Sequence, residues 1–246
     1  MTLLRDQDLA HAFDRAADSY DRLVAMNPGY HADLRRSARR LQLPDGGAGL
    51  RLLDLGCGTG ASTAALLRAA PRAEITAVDA SAGMLERAAA KSWPSRVTFV
   101  HASAEELALR ETGGTGAYDA VFAAYLLRNV TDVDGVLASV QALLRPGGRL
   151  AVHEYSLSGR ALHRALWTAL CRTVIIPAGT LTGDRDLYHH LWHSVLAFDT
   201  APELTARLVR GGWGGVRSVP MPGWSTGVVH TFIARRDALR PAGATA

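Results

Sequence analysis

Between residues 50 and 153, five strand-like apolar runs alternate with helical ones, and this alternation constrains the fold more than any other feature. The runs cover 50–55, 74–78, 97–100, 118–123 and 149–153; helical patterns lie near 61–70, 82–91, 104–109 and 132–144. Strands separated by helices pair in parallel, with helices on both faces of the sheet. Right-handed crossovers leave few topologies. The last helical pattern shows one stripe, Val133, Val136, Leu137, Val140 and Leu144, which Thr131 or Asp132 can cap.

The flanks have a different rhythm. Residues 5–41 read as two helices, with Leu9, Phe13, Ala16 and Tyr20 on one face and a break at Asn27-Pro28-Gly29. "PDGGAG", 44–49, is a linker. Residues 160–176 and 185–197 read as helices capping the carboxyl edge of the sheet. A helix over 202–210 has Pro202 in its first turn and Gly211 at its end. Two strands, 216–219 and 228–234, follow, and the tail from Arg235 is expected to fray. The expectation is one α/β domain: an N-terminal helical lid (1–45), a cofactor-binding half (50–155), a helical cap (156–200), a last helix and strands (201–234) and a tail (235–246).

A length of 246 residues suits one such domain, and 48% apolar with 20% charged residues is ordinary globular composition. The net charge of +4 favours anionic partners such as phosphates, carboxylates or an acidic membrane surface. It does not make a nucleic-acid footprint. The densest basic cluster, Arg35, Arg36, Arg39 and Arg40, has the spacing of a solvated helix face. Two cysteines, Cys57 and Cys171, form neither a disulfide framework nor a zinc motif, which fits a reducing cytoplasm. "MTLLRDQDLA" has no apolar core of a signal peptide, and no stretch has the length of a membrane span.

"LLDLGCGTG", 52–60, follows a strand and opens a helix. Gly56, Gly58 and Gly60 let the backbone turn tightly and approach a ligand. The spacing is G-x-G-x-G, not the G-x-G-x-x-G that cradles a dinucleotide pyrophosphate. Asp54 would repel a diphosphate; it can orient the loop or attract an ammonium. Asp79 ends the second strand about twenty residues past the glycines, where a carboxylate accepts both ribose hydroxyl protons. Ser103 and Ala104 end the third strand, where an adenine edge would lie. Together these strand ends favour a zwitterionic nucleoside over a nicotinamide dinucleotide.

On these residues the chain resembles the class I S-adenosylmethionine-dependent methyltransferases. The resemblance implies a Rossmann-like seven-stranded sheet with an antiparallel last strand. It implies S-adenosylmethionine as cofactor, with Gly56, Gly58, Thr59 and Gly60 around its methionine part and Asp79 on its ribose. Ala80, Met84, Ser103 and Ala104 would surround the adenine, and Tyr20 and Ala124 would complete the cofactor set. The position of Ser103 is often acidic or an amide in that class.

The stretch "AAYLLRNVTD", 123–132, places an arginine and an asparagine at the mouth of an apolar strand. With "LLRPGGRLAVHEYS" and the N-terminal "FDRAADSYD", it resembles the ubiquinone and menaquinone biosynthesis C-methyltransferases, the UbiE family. "YHHLWHSV", "APELTARLVRGGW" and "GVVH" also fall where that family has similar segments, so the resemblance runs from about Phe13 to Ile233. Ligands of open α/β sheets bind outside the carboxyl ends of the strands, which puts Arg128 and Asn129 near the transferable methyl group. Ring C-methylation needs an electron-rich carbon, made most easily by deprotonating a ring hydroxyl. Arginine can stabilise that oxyanion, and asparagine can orient a hydroxyl or a relay water. In this reading a cation at a strand mouth is a poor core residue, and its removal leaves the fold intact. In the other reading Arg128 pairs with a nearby acid and Asn129 starts a turn.

Several positions depart from the family. A serine, a phenylalanine and a glycine usually stand at Ala124, Tyr125 and Leu126. In the cap segment an aromatic has become His190 and an acid His193, and His230 comes two residues early on the same strand face. His193 or His230 is a candidate general base. His153 and Glu154 close the fifth strand; Glu154 is a candidate catalytic group or the anchor of Arg128. His189, His190 and His193 lack the further ligand a metal site needs. The expected acceptor is an apolar, quinol-like or phenolic small molecule, methylated on carbon, with a transient contact at a membrane surface; Leu166, Trp167, Leu170, Val174, Ile175, Leu191 and Trp192 supply the apolar cap. Oxygen or nitrogen methylation of a specialised natural product, and a non-methylating protein that binds S-adenosylmethionine, remain open alternatives.

Overall fold

The computed structural model describes residues 11–14, 21, 24, 27, 29–104, 116–181 and 185–237. Helix α1 (Tyr30–Arg39) leads into β1 (Arg51–Leu55), α2 (Ala61–Ala69), β2 (Glu74–Asp79), α3 (Ala82–Ala89), β3 (Val97–His101) and β4 (Tyr118–Ala124). Then come α4 (Val133–Leu143), β5 (Leu144–Tyr155), α5 (Ala161–Leu170), α6 (Ile176–Leu181), α7 (Arg185–Ala197), α8 (Ala201–Arg210), β6 (Trp213–Pro220) and β7 (Val229–Arg236). The strands make one sheet in the order β3-β2-β1-β4-β5-β7-β6. Strands β1 to β5 pair in parallel, and β7 runs antiparallel between β5 and β6. The Rossmann-like seven-stranded arrangement with an antiparallel last strand is therefore present. The chain order reverses between β1 and β4, and that switch point is where such sheets open a ligand crevice.

Side-chain alternation explains the two cores. Leu53, Leu55, Val121, Leu150 and Val152 face Leu137, Val140, Leu204 and Leu208 of α4 and α8. Their neighbours Leu52, Ala120, Phe122 and Ala151 face Leu34 of α1 and Leu66 of α2. Residues alternate because successive strand side chains point to opposite faces. Burying each large aliphatic contributes about 1.5–3 kcal/mol, so a one-residue slip in β1 or β4 would be prohibitive. Asp132, rather than Thr131, caps α4: its carboxylate accepts from Gly135 N–H at 2.9 Å.

The cap and the tail differ from the sequence expectations. The first cap helix does not stop at 176; α5 passes through a π-helical turn, Cys171–Ile175, into α6. Pro177 has no N–H to give the helix, and it directly follows the π-helical turn in which Ile176 N–H reaches back to the Cys171 carbonyl. Arg235 and Arg236 are not frayed: they pair with Arg149 and Trp213 as the last residues of β7. The expected helix near 104–109 lies outside the described residues beyond Ala104, as do Leu9, Ala16 and Tyr20. Among the described residues no helix is long and apolar enough to cross a membrane.

Candidate active site

The glycine loop leaves β1 with Gly56, Gly58 and Gly60 at φ 74°, 54° and 90°, a region side chains rarely adopt. A Cβ at Gly56 would stand 2.9 Å from Leu126, and one at Gly60 would stand 2.7 Å from Trp93. Gly58 faces open space, with nothing within 4 Å. Its N–H donates to Asp79 Oδ2 at 2.7 Å, while Asp79 Oδ1 accepts from Ser81 N–H at 2.9 Å. The carboxylate that ends β2 thus braces both the loop and the start of α3. Burial pushes its pKa up, and these backbone donors oppose that rise.

Asp54 orients the loop from below. Its Oδ2 accepts from the Ser62 and Thr63 hydroxyls at 2.8 and 2.6 Å. Burial raises its pKa to about 7. Its other oxygen is buried without a hydrogen-bond partner. An orphaned carboxylate oxygen at the root of the glycine loop is an acceptor that an ammonium or a bridging water would satisfy.

Of the expected adenine contacts, Ala80, Ser103 and Ala104 follow the ends of β2 and β3 beside this loop. Met84 is 2% exposed, with its N–H capped by Ser81 Oγ at 3.1 Å. Thr59 is also buried; its hydroxyl donates to Asp21 at 2.5 Å, and Asp21 pairs with Lys91 at 2.6 Å. Asp14 accepts from the Ser81 hydroxyl at 2.5 Å and from Gly83 N–H at 3.0 Å. Two acids of the N-terminal segment therefore hold both the glycine loop and the α3 N-terminus. The sequence reading missed them, although "FDRAADSYD" sets them seven residues apart, on one helical face.

Arg128 lines a cavity of about 470 Å³, and Asn129 follows it. Tyr125, which follows Ala124 at the end of β4, has φ 56°, an unusual value for an aromatic residue. Its carbonyl accepts from Arg128 Nη1 at 2.7 Å and from Asn129 Nδ2 at 3.1 Å. Arg128 Nη1 also donates to Glu154 Oε1 at 2.7 Å, and the guanidinium lies over the rings of Tyr125 and Tyr155. The expectation that Arg128 is no core residue is corrected: it is one partner of a buried ion pair. Glu154 is fully buried with its oxygens on Arg128 and on Tyr155 N–H, so it positions Arg128 and is not at the cavity wall. Burial raises its pKa, against the pull of Arg128.

The histidines divide differently from expectation. His190 lines the cavity, and its Nε2–H donates to Asn129 Oδ1 at 3.1 Å. Burial and the Arg128 charge lower its pKa to about 4, so it is neutral near pH 7. His193 is not among the lining residues; its ring lies tilted against that of Trp192, with centroids 4.4 Å apart. His230 is also away from the lining and donates from Nδ1 to the Ser156 carbonyl at 2.7 Å. Among the described residues no three histidine, cysteine, aspartate or glutamate side chains cluster as metal ligands. Leu170, Val174, Ile175 and Leu191 line the cavity as the apolar cap predicts. Trp167 packs into the core beneath them, Leu166 is exposed, and Trp192 is only partly buried.

Comparison with known proteins agrees with this architecture. The model of the ubiE/COQ5 methyltransferase family matches residues 1–236. The ubiquinone/menaquinone biosynthesis C-methyltransferase UbiE of Syntrophotalea carbinolica is 35% identical over 94% of this chain and 95% of its own. The demethylmenaquinone methyltransferase of Mycolicibacterium paratuberculosis is 32% identical over 94% of both chains. The solved 1,6-didemethyltoxoflavin-N1-methyltransferase of Burkholderia thailandensis, bound to S-adenosylhomocysteine, covers 96% of this chain and 92% of its own. Its TM-score is 0.61 at 20% identity, a likeness of fold alone. With this sheet, this glycine loop and a match along nearly its whole length, the chain belongs to the ubiE/COQ5 family and is an S-adenosylmethionine-dependent methyltransferase.

Proposed function

We propose that this enzyme methylates a ring carbon of a quinol-like or phenolic, mainly apolar small molecule. The observation that carries this reading is the cavity walled by Tyr125 and Arg128: its lining is mostly apolar and aromatic, with Arg128, His190 and Asn27 as its polar side chains apart from the tyrosine hydroxyls and the Trp224 indole. Such a lining suits a flat hydrophobic ring whose few oxygens need placing. The names of the two bacterial relatives, a ubiquinone/menaquinone biosynthesis C-methyltransferase and a demethylmenaquinone methyltransferase, support quinone chemistry.

When bound, S-adenosylmethionine supplies an electrophilic methyl group. The residues that would hold it are Gly58, whose open face admits close approach, Asp79 for the ribose hydroxyls, and Asp54 for the amino acid end. Arg128 acts as a fixed donor whose charge Glu154 already balances in part. It therefore orients and moderately stabilises a ring oxyanion instead of confronting it with a bare cation. His190, neutral and fixed in orientation by Asn129, is the second polar side chain of the cavity wall against which a ring oxygen can be placed. Phe13 and Val24 line the same cavity, so the N-terminal segment helps keep water from the reacting atoms.

The rim suggests how such an acceptor arrives. Leu162, Leu166 and Val174 of the cap and Trp224 are exposed apolar side chains, and the cap sequence carries Arg160, Arg164 and Arg172 with no acid between 156 and 183. In this reading the cap rests transiently on an anionic membrane surface. The test is incubation of the enzyme with S-adenosylmethionine and a short-prenyl 1,4-naphthoquinol under reducing conditions, followed by mass spectrometry. A singly methylated product is expected; no methylated product overturns the reading.

A further inference from the structure

We propose that the Tyr125 hydroxyl donates a hydrogen bond to an oxygen on the acceptor ring, its direction fixed by a buried chain of hydrogen bonds that begins at Arg40. The inference rests on the reading of the acceptor as a phenolic or quinol-like ring.

Four links make the chain. Arg40 Nη1 lies 2.7 Å from Thr231 Oγ1, which lies 2.6 Å from Ser37 Oγ. Ser37 Oγ lies 2.8 Å from His153 Nδ1, and His153 Nε2 lies 2.9 Å from Tyr125 Oη. Ser37, Thr231 and His153 are fully buried, so each polar hydrogen must find its acceptor within the chain. A guanidinium only donates. Thr231 therefore accepts from Arg40 and spends its single hydrogen on Ser37. Ser37 in turn donates to His153 Nδ1, which leaves the imidazole hydrogen on Nε2, pointing at Tyr125. In the reverse direction, two donors would meet on Thr231 and its own buried hydrogen would have no acceptor.

At the end of this chain, Tyr125 Oη accepts from His153, and its own hydrogen has no acceptor in the described hydrogen bonds. The residue lines the cavity. Its ring is held on several sides: stacked on Tyr30 at 5.5 Å, tilted against Tyr155 at 4.8 Å and edge-on to His153 at 4.8 Å. Its backbone is held in the left-handed region by Arg128 and Asn129 on its carbonyl and by its own N–H, which donates to the His153 carbonyl at 2.7 Å. Strain at a site wall, kept by that many restraints, is the pattern expected of a residue whose side chain must point one way. Burial holds the phenol well above its ordinary pKa and drives His153 down to about 3, so Tyr125 remains a donor and His153 stays neutral. Tyr125 is thus assigned contact with the substrate, and His153, Ser37 and Thr231 are positioning residues.

The experiment compares binding of 1-naphthol and naphthalene, which differ by one hydroxyl oxygen, to the wild-type protein, Tyr125→Phe and the double variant Tyr125→Phe/His153→Leu, with a melting curve on each. Wild type is expected to prefer 1-naphthol, and both variants to lose roughly five- to tenfold of that preference while binding naphthalene as before. Both variants melt lower, Tyr125→Phe because His153 Nε2–H loses its acceptor and the double variant because the Ser37 hydroxyl loses His153 Nδ1; unchanged naphthalene binding in both separates the lost preference from the lost stability. That separation marks a role beyond structure, and the double variant carries the test if the single one does not fold. An undiminished preference for 1-naphthol in the double variant overturns this inference alone. Failure of the wild-type protein to bind either probe overturns the aromatic-acceptor reading beneath it, and this inference with it.

Discussion

Arg128 Nη1 stands 2.7 Å from Glu154 Oε1, with the two side chains 8% and 0% exposed. The cation at the mouth of β4 is therefore part of the fold as well as part of the cavity wall. Removing one member of such a pair leaves the other charge buried and uncompensated. Arg128→Ala is predicted to destabilise the protein by about 3–5 kcal/mol, read as a drop in denaturant midpoint. Replacing Glu154 as well, by Gln, should return part of that loss. A variant Arg128→Ala as stable as wild type would contradict the ion-pair account.

Asp54 gives a pH dependence with a definite sign. Its folded pKa, about 7, lies above the ordinary value, so between the two the folded state holds a proton that the unfolded state has released. Stability should therefore fall as pH rises from about 4 to about 7, and then level off. Asp54→Asn is predicted to flatten that slope and to bind S-adenosylmethionine more weakly, through loss of the anion facing its ammonium. Parallel melting curves at several pH values and a cofactor titration read both effects. An unchanged slope would show that Asp54 is already ionised.

Asp79 is predicted to matter to cofactor binding in two ways, through the ribose hydroxyls and through the Gly58 and Ser81 N–H groups it holds. Asp79→Ala should weaken S-adenosylmethionine binding by about 1.5–3 kcal/mol. Calorimetry showing wild-type affinity would refute this assignment.

Asp21 is predicted to act on kinetics more than on stability. Asp21 is about half exposed, so Asp21→Asn should change stability by no more than about 0.5 kcal/mol. Its link to the Thr59 hydroxyl ties the segment to the glycine loop, and weakening that link should speed release of S-adenosylhomocysteine. Stopped-flow displacement measures the rate; an unaltered rate would separate Asp21 from closure.

The sheet was legible in the sequence because its signals are local. Glycines at 56, 58 and 60, an acid at 79 and an apolar stripe on α4 each declare a turn, a strand end or a buried face without reference to the rest of the chain. The cap helix continues past 176 through a π-helical turn before Pro177, and such a turn leaves no mark in the apolar pattern. The site was harder to read because its decisive relations are long-range. Arg128 and Glu154 are 26 residues apart, and Ser37 and Thr231 are 194; the pairing of β4 with β5 brings the first two together, and the packing of α1 on the sheet the second two. His190 and His193 show the limit of spacing arguments. Both lie on one helix, and only packing against Asn129 decides which one lines the cavity.

The central claim is that the methyl group goes to a ring carbon, and carbon-13 NMR tests it most directly. The enzyme is supplied with S-adenosylmethionine labelled at the methyl carbon and with a short-prenyl 1,4-naphthoquinol, and the product is read after reoxidation. The account predicts a single labelled resonance in the aryl-methyl region, with the quinone regenerated intact. A labelled methoxy resonance, with the ring carbon still bearing hydrogen, would contradict it.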